Sequence, residues 1–266
     1  MNDFYGPKIG FVGLGFVGDA IAKSYDQPSN LIIRDPNKGY TASWEELREC
    51  EGIFISVPSP SNSDGSCDSS ILQDVLTNLK GYTGVIISKV TATPNIYERL
   101  QEQYHNLVYV PEFLTAANAY QDYQRENWAV IGGKIHAYKK EAERIIRYSK
   151  KDLQVSFCSI GEASLYKYIV NSFLATKVVF MNEMHTLAES KGYDWNKIRN
   201  MMLFDVRIGP SHTQVPGPDG QYGFGGMCFP KDTSAILHYA KSLDCDLNVL
   251  NNAVKKNSLL RLLKPK

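Results

Sequence analysis

The segment Gly223-Phe224-Gly225-Gly226-Met227-Cys228-Phe229-Pro230-Lys231-Asp232 sets a cysteine in a glycine-lined turn, with a lysine and an aspartate directly behind it. A thiol attacks as thiolate, and nearby positive charge or N–H donors lower its pKa. Glycines allow the backbone conformations and close approach that a substrate-facing turn needs. The pattern reads as a nucleophilic cysteine, where a lone cysteine in a loop would read as a buried thiol. A second pattern lies near the start of the chain. Gly13-Leu14-Gly15-Phe16-Val17-Gly18 follows the apolar run Lys8–Val12 and opens a helical stretch. In such a G-x-G-x-x-G turn Gly13 makes the tight bend, Gly15 lets a pyrophosphate approach the backbone, and Gly18 lets helix pack on strand. The helix start at Phe16 and Val17 offers N–H groups to phosphate. Asp35 ends the next strand at the spacing of an acid that binds adenosine ribose hydroxyls. Its charge repels a 2′-phosphate, so NAD is expected over NADP, although Arg34 beside it is a residue that can serve NADP. A turn residue before Pro36-Asn37 would look the same.

These groups need a scaffold, and the first half of the chain supplies one. Short apolar runs alternate with helical patterns, which predicts a parallel sheet wrapped by helices. Strands are expected at Lys8–Val12, Leu31–Ile33, Gly52–Val57, Gly84–Ser88, Leu107–Val110, Trp128–Ile131 and Gln154–Phe157. Helices are expected at Val17–Tyr25, Ser43–Glu49, Ser69–Leu79, Asn95–Gln103 and Ala137–Ser149. From Ile160 the pattern changes. Gly161 to Lys191 lacks proline, carries apolar residues at helical spacing, and is followed by Gly192 as a stop. One long helix follows, too apolar around its circumference to stand alone in water. Further helices are expected at Asp194–Leu203, Thr233–Lys241 and Asn248–Leu263. The expected fold class is α/β: a Rossmann-type domain over residues 1–158, then an all-helical domain over 159–266 that carries the cysteine turn and pairs with a second copy as a homodimer.

The 266 residues carry a formal net charge of +1 with scattered lysines and arginines, which gives no reason to expect a nucleic-acid partner. No apolar run would span a bilayer, and Met1-Asn2-Asp3 does not open a secretory signal, so no membrane association is expected. Five cysteines are odd in number and irregularly spaced, and neither they nor the five histidines show metal-ligand spacing. A cytoplasmic protein with free thiols and no metal is expected.

The cysteine turn resembles that of the UDP-glucose/GDP-mannose dehydrogenase family, whose typical form reads G-F-G-G-x-C-x-P-K-D. Five other segments resemble it in the right order, from Lys8 to about Asn257. Val57-Pro58-Ser59-Pro60 with Asp64-Gly65-Ser66-Cys67-Asp68 is similar to V-P-T-P…D-G-x-x-D. Ser88-Lys89-Val90-Thr91-Ala92-Thr93-Pro94 is similar to K-S-T-V-P-P-G, and Pro111-Glu112-Phe113-Leu114 to N-P-E-F-L with Val110 in place of the asparagine. Lys167 and Asn171, four apart on one helix face, fit A-E-x-x-K-x-x-x-N-x-x-x-A. Asp205-Val206-Arg207-Ile208-Gly209 fits D-x-R-I-G.

The resemblance implies two successive oxidations, with NAD, of a nucleotide-sugar C6 alcohol to the carboxylate, UDP-glucose to UDP-glucuronate being the first expected pair. Cys228 would add to the aldehyde and carry the second stage as thiohemiacetal and thioester. Lys167 and Asn171 would stabilise the oxyanion, Asp232 and Thr91 would hold water, and Glu112 would act as base. Glu112, Phe113, Leu114, Lys167, Asn171, Arg207, Phe224 and Gly225 would meet the substrate, with Arg207 reaching across the dimer interface. Pro58, Thr91 and Lys231 would join Asp35 and the glycine turn around the cofactor. Typical family members continue into a second nucleotide-binding domain, so either a naturally short form lacking it or a fragment of a longer chain is expected. A one-step β-hydroxyacid-type dehydrogenase, or a non-catalytic NAD-binding dimer module, are the alternatives.

Overall fold

Apolar runs separated by Gly- and Pro-containing turns assemble into one eight-stranded sheet in the computed structural model, which describes residues 6–26 and 28–264. The strands are β1 (Ile9–Val12), β2 (Leu31–Asp35), β3 (Tyr40–Thr41), β4 (Gly52–Ile55), β5 (Val85–Ser88), β6 (Leu107–Tyr109), β7 (Trp128–Gly132) and β8 (Gln154–Cys158). Their order is β3-β2-β1-β4-β5-β6-β7-β8. β1, β4, β5 and β6 are buried along their whole length, as strands covered on both faces must be. Helices α1 (Phe16–Ala22), α2 (Trp44–Arg48), α3 (Ser70–Asn78), α4 (Pro94–Gln103), α5 (Ala119–Arg125) and α6 (His136–Arg147) connect them. At the centre Phe11 stacks on Phe54 with ring centroids 5.1 Å apart, and Tyr25 meets Phe11 edge-on at 6.3 Å.

β1 pairs in parallel with β2 on one side and β4 on the other, Ile9 facing both Leu31 and Gly52. The strand order reverses there, and in open α/β sheets ligands bind beyond the strand ends at such a point. Two pairings depart from the expected parallel sheet. β3 lies antiparallel on β2, and β7 antiparallel on β6. β3 is a two-residue edge strand with both residues exposed, too short to leave a periodic signal. α5 also escaped the sequence pattern, since only Ala119 and Tyr123 along it are buried.

The helical elements are α7 (Ile160–Ser190), α8 (Trp195–Met202), α9 (Phe229–Ser242) and α10 (Asn248–Leu260). α9 starts four residues before the expected Thr233. Pro230 is in its first turn, where the missing N–H costs nothing and the fixed φ suits a helix. Lys231 and Asp232 therefore stand on the helix and Cys228 at its N-cap, rather than in a loop. By packing, the chain forms two compact units. One runs up to Pro60 and from Cys67 to Lys167; the other comprises Ser61–Ser66 and runs from Tyr168 onward. The polar loop after β4 thus packs with the helical unit, where Ser234 Oγ donates to the Gly65 carbonyl at 3.2 Å. No helix among the described residues is long and apolar enough to cross a membrane.

Candidate active site

Two glycines of the first turn, Gly13 and Gly18, have a steric reason. Gly13 has φ +86°, and a Cβ there would meet the Ser56 carbonyl oxygen at 2.7 Å. A Cβ on Gly18 would overlap the Gly13 carbonyl, so only glycine lets α1 sit this close to the strand end. Gly15 is exposed and faces open space, with no atom within 4 Å of a built Cβ. That free backbone is what a diphosphate requires, so the residues present fit a dinucleotide. Asp35 Oδ2 accepts the Leu14 N–H at 2.8 Å, and Lys38 donates to the Leu14 carbonyl at 2.5 Å, so the carboxylate is tied to the glycine turn. Arg34 is held elsewhere. It donates to the Ala42 carbonyl at 2.7 Å with its guanidinium 4.8 Å over the Trp44 ring. Phe16 and Val17 open α1, and Pro58 is exposed in the loop after β4.

In the sheet unit Lys167 and Glu112 come together. Glu112 follows β6 and is buried, and its Oε2 accepts the Leu114 N–H at 2.7 Å. Lys167, also buried, donates to the Glu112 carbonyl, stands 3.5 Å from Oε1, and lies 4.5 Å over the Phe113 ring. Phe113 in turn packs on Trp128 and Tyr166, both at 5.6 Å. An ammonium wedged between a carboxylate, a carbonyl and an aromatic face is not a snorkelling surface lysine. Thr91 is half-buried, and its carbonyl lies 3.5 Å from the Cys67 sulfur.

A lysine that the sequence reading left without a role stands beside this pair. Lys89, at the end of β5, is buried with its Nζ 3.4 Å from the Pro111 carbonyl. Burial pulls its pKa from 10.5 down to about 8, against the opposing pull of Glu126 and Glu112. The signal was available, since Lys89 occupies the lysine position of K-S-T-V-P-P-G. Below pH 8 the folded and unfolded chains both hold the proton, and the buried charge is a constant cost. Between about pH 8 and 10.5 the unfolded chain binds more protons, so this group's contribution to stability rises with pH. Lys89→Met should therefore stabilise the fold at pH 7 by up to about 3 kcal/mol, with the gain shrinking above pH 8. Urea melts of both proteins at pH 7 and pH 10 check this, and a variant no more stable at pH 7 refutes it.

In the helical unit Asn171 and Asp232 come together. Asn171 Nδ2 donates to Asp232 Oδ2 at 2.6 Å, and Lys231 Nζ donates to Asp232 Oδ1 at 2.6 Å. Asp232 is 1% exposed, so its charge is stabilised by these two donors and by its place in the first turn of α9. Cys228 is half-buried at the start of the same helix. Phe224 is buried and Gly225 half-buried in the turn before it. Arg207 is exposed and folds back on Asp205, with contacts of 2.6, 2.9 and 3.1 Å. His212 was not foreseen. It has φ +61° and its ring lies 5.3 Å from that of Phe229. Burial first, and Lys177 second, hold its pKa below the usual histidine value. A lone histidine in a loop carries no sequence signal for this.

An α/β unit with a glycine turn at its switch point, joined to a helical unit with a cysteine at a helix start, has the architecture of a dinucleotide-dependent dehydrogenase. The chain belongs to the UDP-glucose/GDP-mannose dehydrogenase family. That family's NAD-binding domain matches residues 32–150 and its central domain residues 161–258. The glycine turn precedes the first match, so its assignment rests on the local geometry above. A UDP-glucose 6-dehydrogenase of Rickettsia bellii is 33% identical over 227 residues, which is 80% of this chain and 50% of that protein. The chain thus spans about half the length of the curated relatives it matches. Among solved structures, a UDP-glucose dehydrogenase from Pyrobaculum islandicum superposes with a TM-score of 0.80 at 22% identity, covering 97% of this chain and 69% of that one. A 3-hydroxyisobutyrate dehydrogenase from Mycobacterium tuberculosis superposes with a TM-score of 0.73 at 15% identity, covering 97% and 96%. The fold alone is therefore shared beyond the UDP-glucose/GDP-mannose dehydrogenase family, and it is the family matches that place the chain within it.

Proposed function

We propose that this protein oxidises the C6 alcohol of a nucleotide sugar to the carboxylate in two stages with NAD, UDP-glucose to UDP-glucuronate being the preferred pair. The observation that carries the reading is Cys228 at the start of α9, with Asp232 one turn on and hydrogen-bonded to Asn171. A one-step alcohol oxidation has no use for a nucleophilic cysteine in that position. NAD, when bound, supplies the oxidant for both stages. Gly13, Gly15, Phe16, Val17, Gly18 and Asp35 hold it, with Pro58, Thr91 and Lys231 completing the cofactor site. The Cys228 thiolate adds to the C6 aldehyde, forming the C–S bond while the carbonyl electron pair moves to oxygen. Lys167 and Asn171 stabilise that oxyanion. At the thioester stage Glu112 takes a proton from a water held by Asp232 and Thr91; the water oxygen bonds to C6 and the C–S bond breaks. Phe113, Leu114, Arg207, Phe224 and Gly225 shape the sugar-nucleotide site.

NADH formed per sugar consumed tests this reading. Two supports it, one favours a β-hydroxyacid-type dehydrogenase, and none favours a non-catalytic module. Asp35 makes NAD the preferred dinucleotide through repulsion of a 2′-phosphate. Asp35→Ala should narrow the NAD/NADP affinity gap by about tenfold, read by titrating both dinucleotides; an unchanged gap removes Asp35 from the assignment.

A homodimer fits the exposed face of α7. Ile169, Phe173, Phe180 and Leu187 recur along it at spacings of one and two turns, and all stay more than half exposed. A patch of that kind on a helix is covered by association, here with a second copy. Phe173→Glu should convert a dimer to monomer by light scattering, and a wild-type monomer at micromolar concentration refutes it. Five cysteines without a disulfide framework suit the reducing cytoplasm. The sheet domain is taken as 1–158 and the helical domain as 159–266, a boundary that falls between the two family matches.

A further inference from the structure

The turn that carries Cys228 has no regular secondary structure from Gln221 to Cys228, so its geometry depends on what grips its backbone. Two buried asparagines do so. Asn257 on α10 accepts the Phe224 N–H at 2.7 Å and donates from Nδ2 to the Phe224 carbonyl at 3.0 Å, satisfying both backbone groups of one residue. Asn182 on α7 accepts the Gly223 N–H at 3.1 Å and donates to the Val178 carbonyl at 2.8 Å. The two side chains are 8% and 2% exposed. Buried amides with both functions used are rigid, because any movement strands a polar group away from water. The fit is close as well. A Cβ on Gly223 would overlap Asn257 Oδ1, and one on Gly225 would meet the Arg261 guanidinium at 2.7 Å. Arg261 itself is fixed by Asp219 at 2.7 Å.

Between Phe224 and Cys228 lie only Gly225, Gly226 and Met227. Two glycines in a row have the widest backbone freedom available, and Met227 is 73% exposed. Cys228 thus follows a short link from the Phe224 backbone, which Asn257 holds, and stands at the N-cap of α9. We infer that Asn257 is a positioning residue for the reaction of Cys228, holding the thiol in register through the Phe224 backbone, with Asn182 and Arg261 as supports. This rests on the proposed function and names a residue of the connecting helix as part of what makes it work. A nucleophile misplaced by about 1 Å loses on the order of a hundredfold in rate, so a partial loss of grip should be visible.

Asn257→Asp keeps the size and the acceptor for the Phe224 N–H, but sets a second acceptor against the Phe224 carbonyl. Assayed with NAD and UDP-glucose, it should lower kcat at least tenfold with KM for NAD unchanged and Tm within a few degrees of wild type. Ser258→Ala, on the same helix and exposed, should leave all three unchanged. Without substrates, hydrogen exchange in the peptide spanning 222–229 should be severalfold faster in Asn257→Asp. A folded Asn257→Asp with wild-type kcat overturns the inference, as does a drop in kcat that only matches the loss of folded protein. Should that variant not fold, Arg261→Gln, at a half-exposed position, is read the same way with about a threefold drop expected; wild-type kcat there overturns it too. Wild-type protein that oxidises no nucleotide sugar overturns the functional reading, whereas unchanged exchange in Asn257→Asp overturns the grip whatever the activity.

Discussion

Cys228→Ser should leave the fold and NAD affinity intact while uronate formation falls by roughly a thousandfold or more. Serine is a better N-cap than cysteine, so the start of α9 loses nothing. Its hydroxyl stays protonated at neutral pH, and without a thiolate the aldehyde stage has no covalent partner. The same residue should dominate inactivation by iodoacetamide, with UDP-glucose protecting. The other thiols give a built-in comparison. Cys50 is buried and burial raises its pKa to about 11, Cys67 is buried, and burial likewise raises Cys158. These three should react slowly. Cys245 is exposed and should be alkylated readily, with no loss of turnover. Uronate made at the wild-type rate by Cys228→Ser would overturn the mechanism.

What could be read in the sequence was whatever a local pattern encodes. Gly13, Gly15 and Gly18 announce a turn because their spacing falls within six residues, and the structure adds the reasons: the Ser56 carbonyl beside Gly13, the Gly13 carbonyl beside Gly18, and open space at Gly15. The long helix was legible because 31 residues without proline leave the backbone little else to do. Long-range pairing was not. Nothing in the string says that β7 runs antiparallel to β6, since direction is set by how the chain returns to the sheet rather than by strand composition. The same limit applies to the site. Lys167 and Asn171 were found as a helix pair, yet their partners Glu112 and Asp232 lie 55 and 61 residues away. Only the packed fold states that each lysine or amide is already engaged. Asn257 carries no sequence signal for a related reason: a buried polar residue looks like a surface one until its surroundings are known.

Lys167 carries the second large expected effect. It donates to the Glu112 carbonyl and lies beside the Glu112 carboxylate; in the proposed mechanism this one ammonium would both orient the base and supply positive charge for the oxyanion. Alanine would confuse these roles with a cavity beside Phe113. Lys167→Met keeps the packing and removes the charge together with the donor to the Glu112 carbonyl, and kcat should fall on the order of a hundredfold or more. The Glu112 carboxylate would then be buried without its cation, which breaks a buried pair and costs about 3–5 kcal/mol. Tm should drop accordingly, so activity must be compared at a temperature where both proteins are folded. An unchanged kcat would remove Lys167 from the oxyanion site.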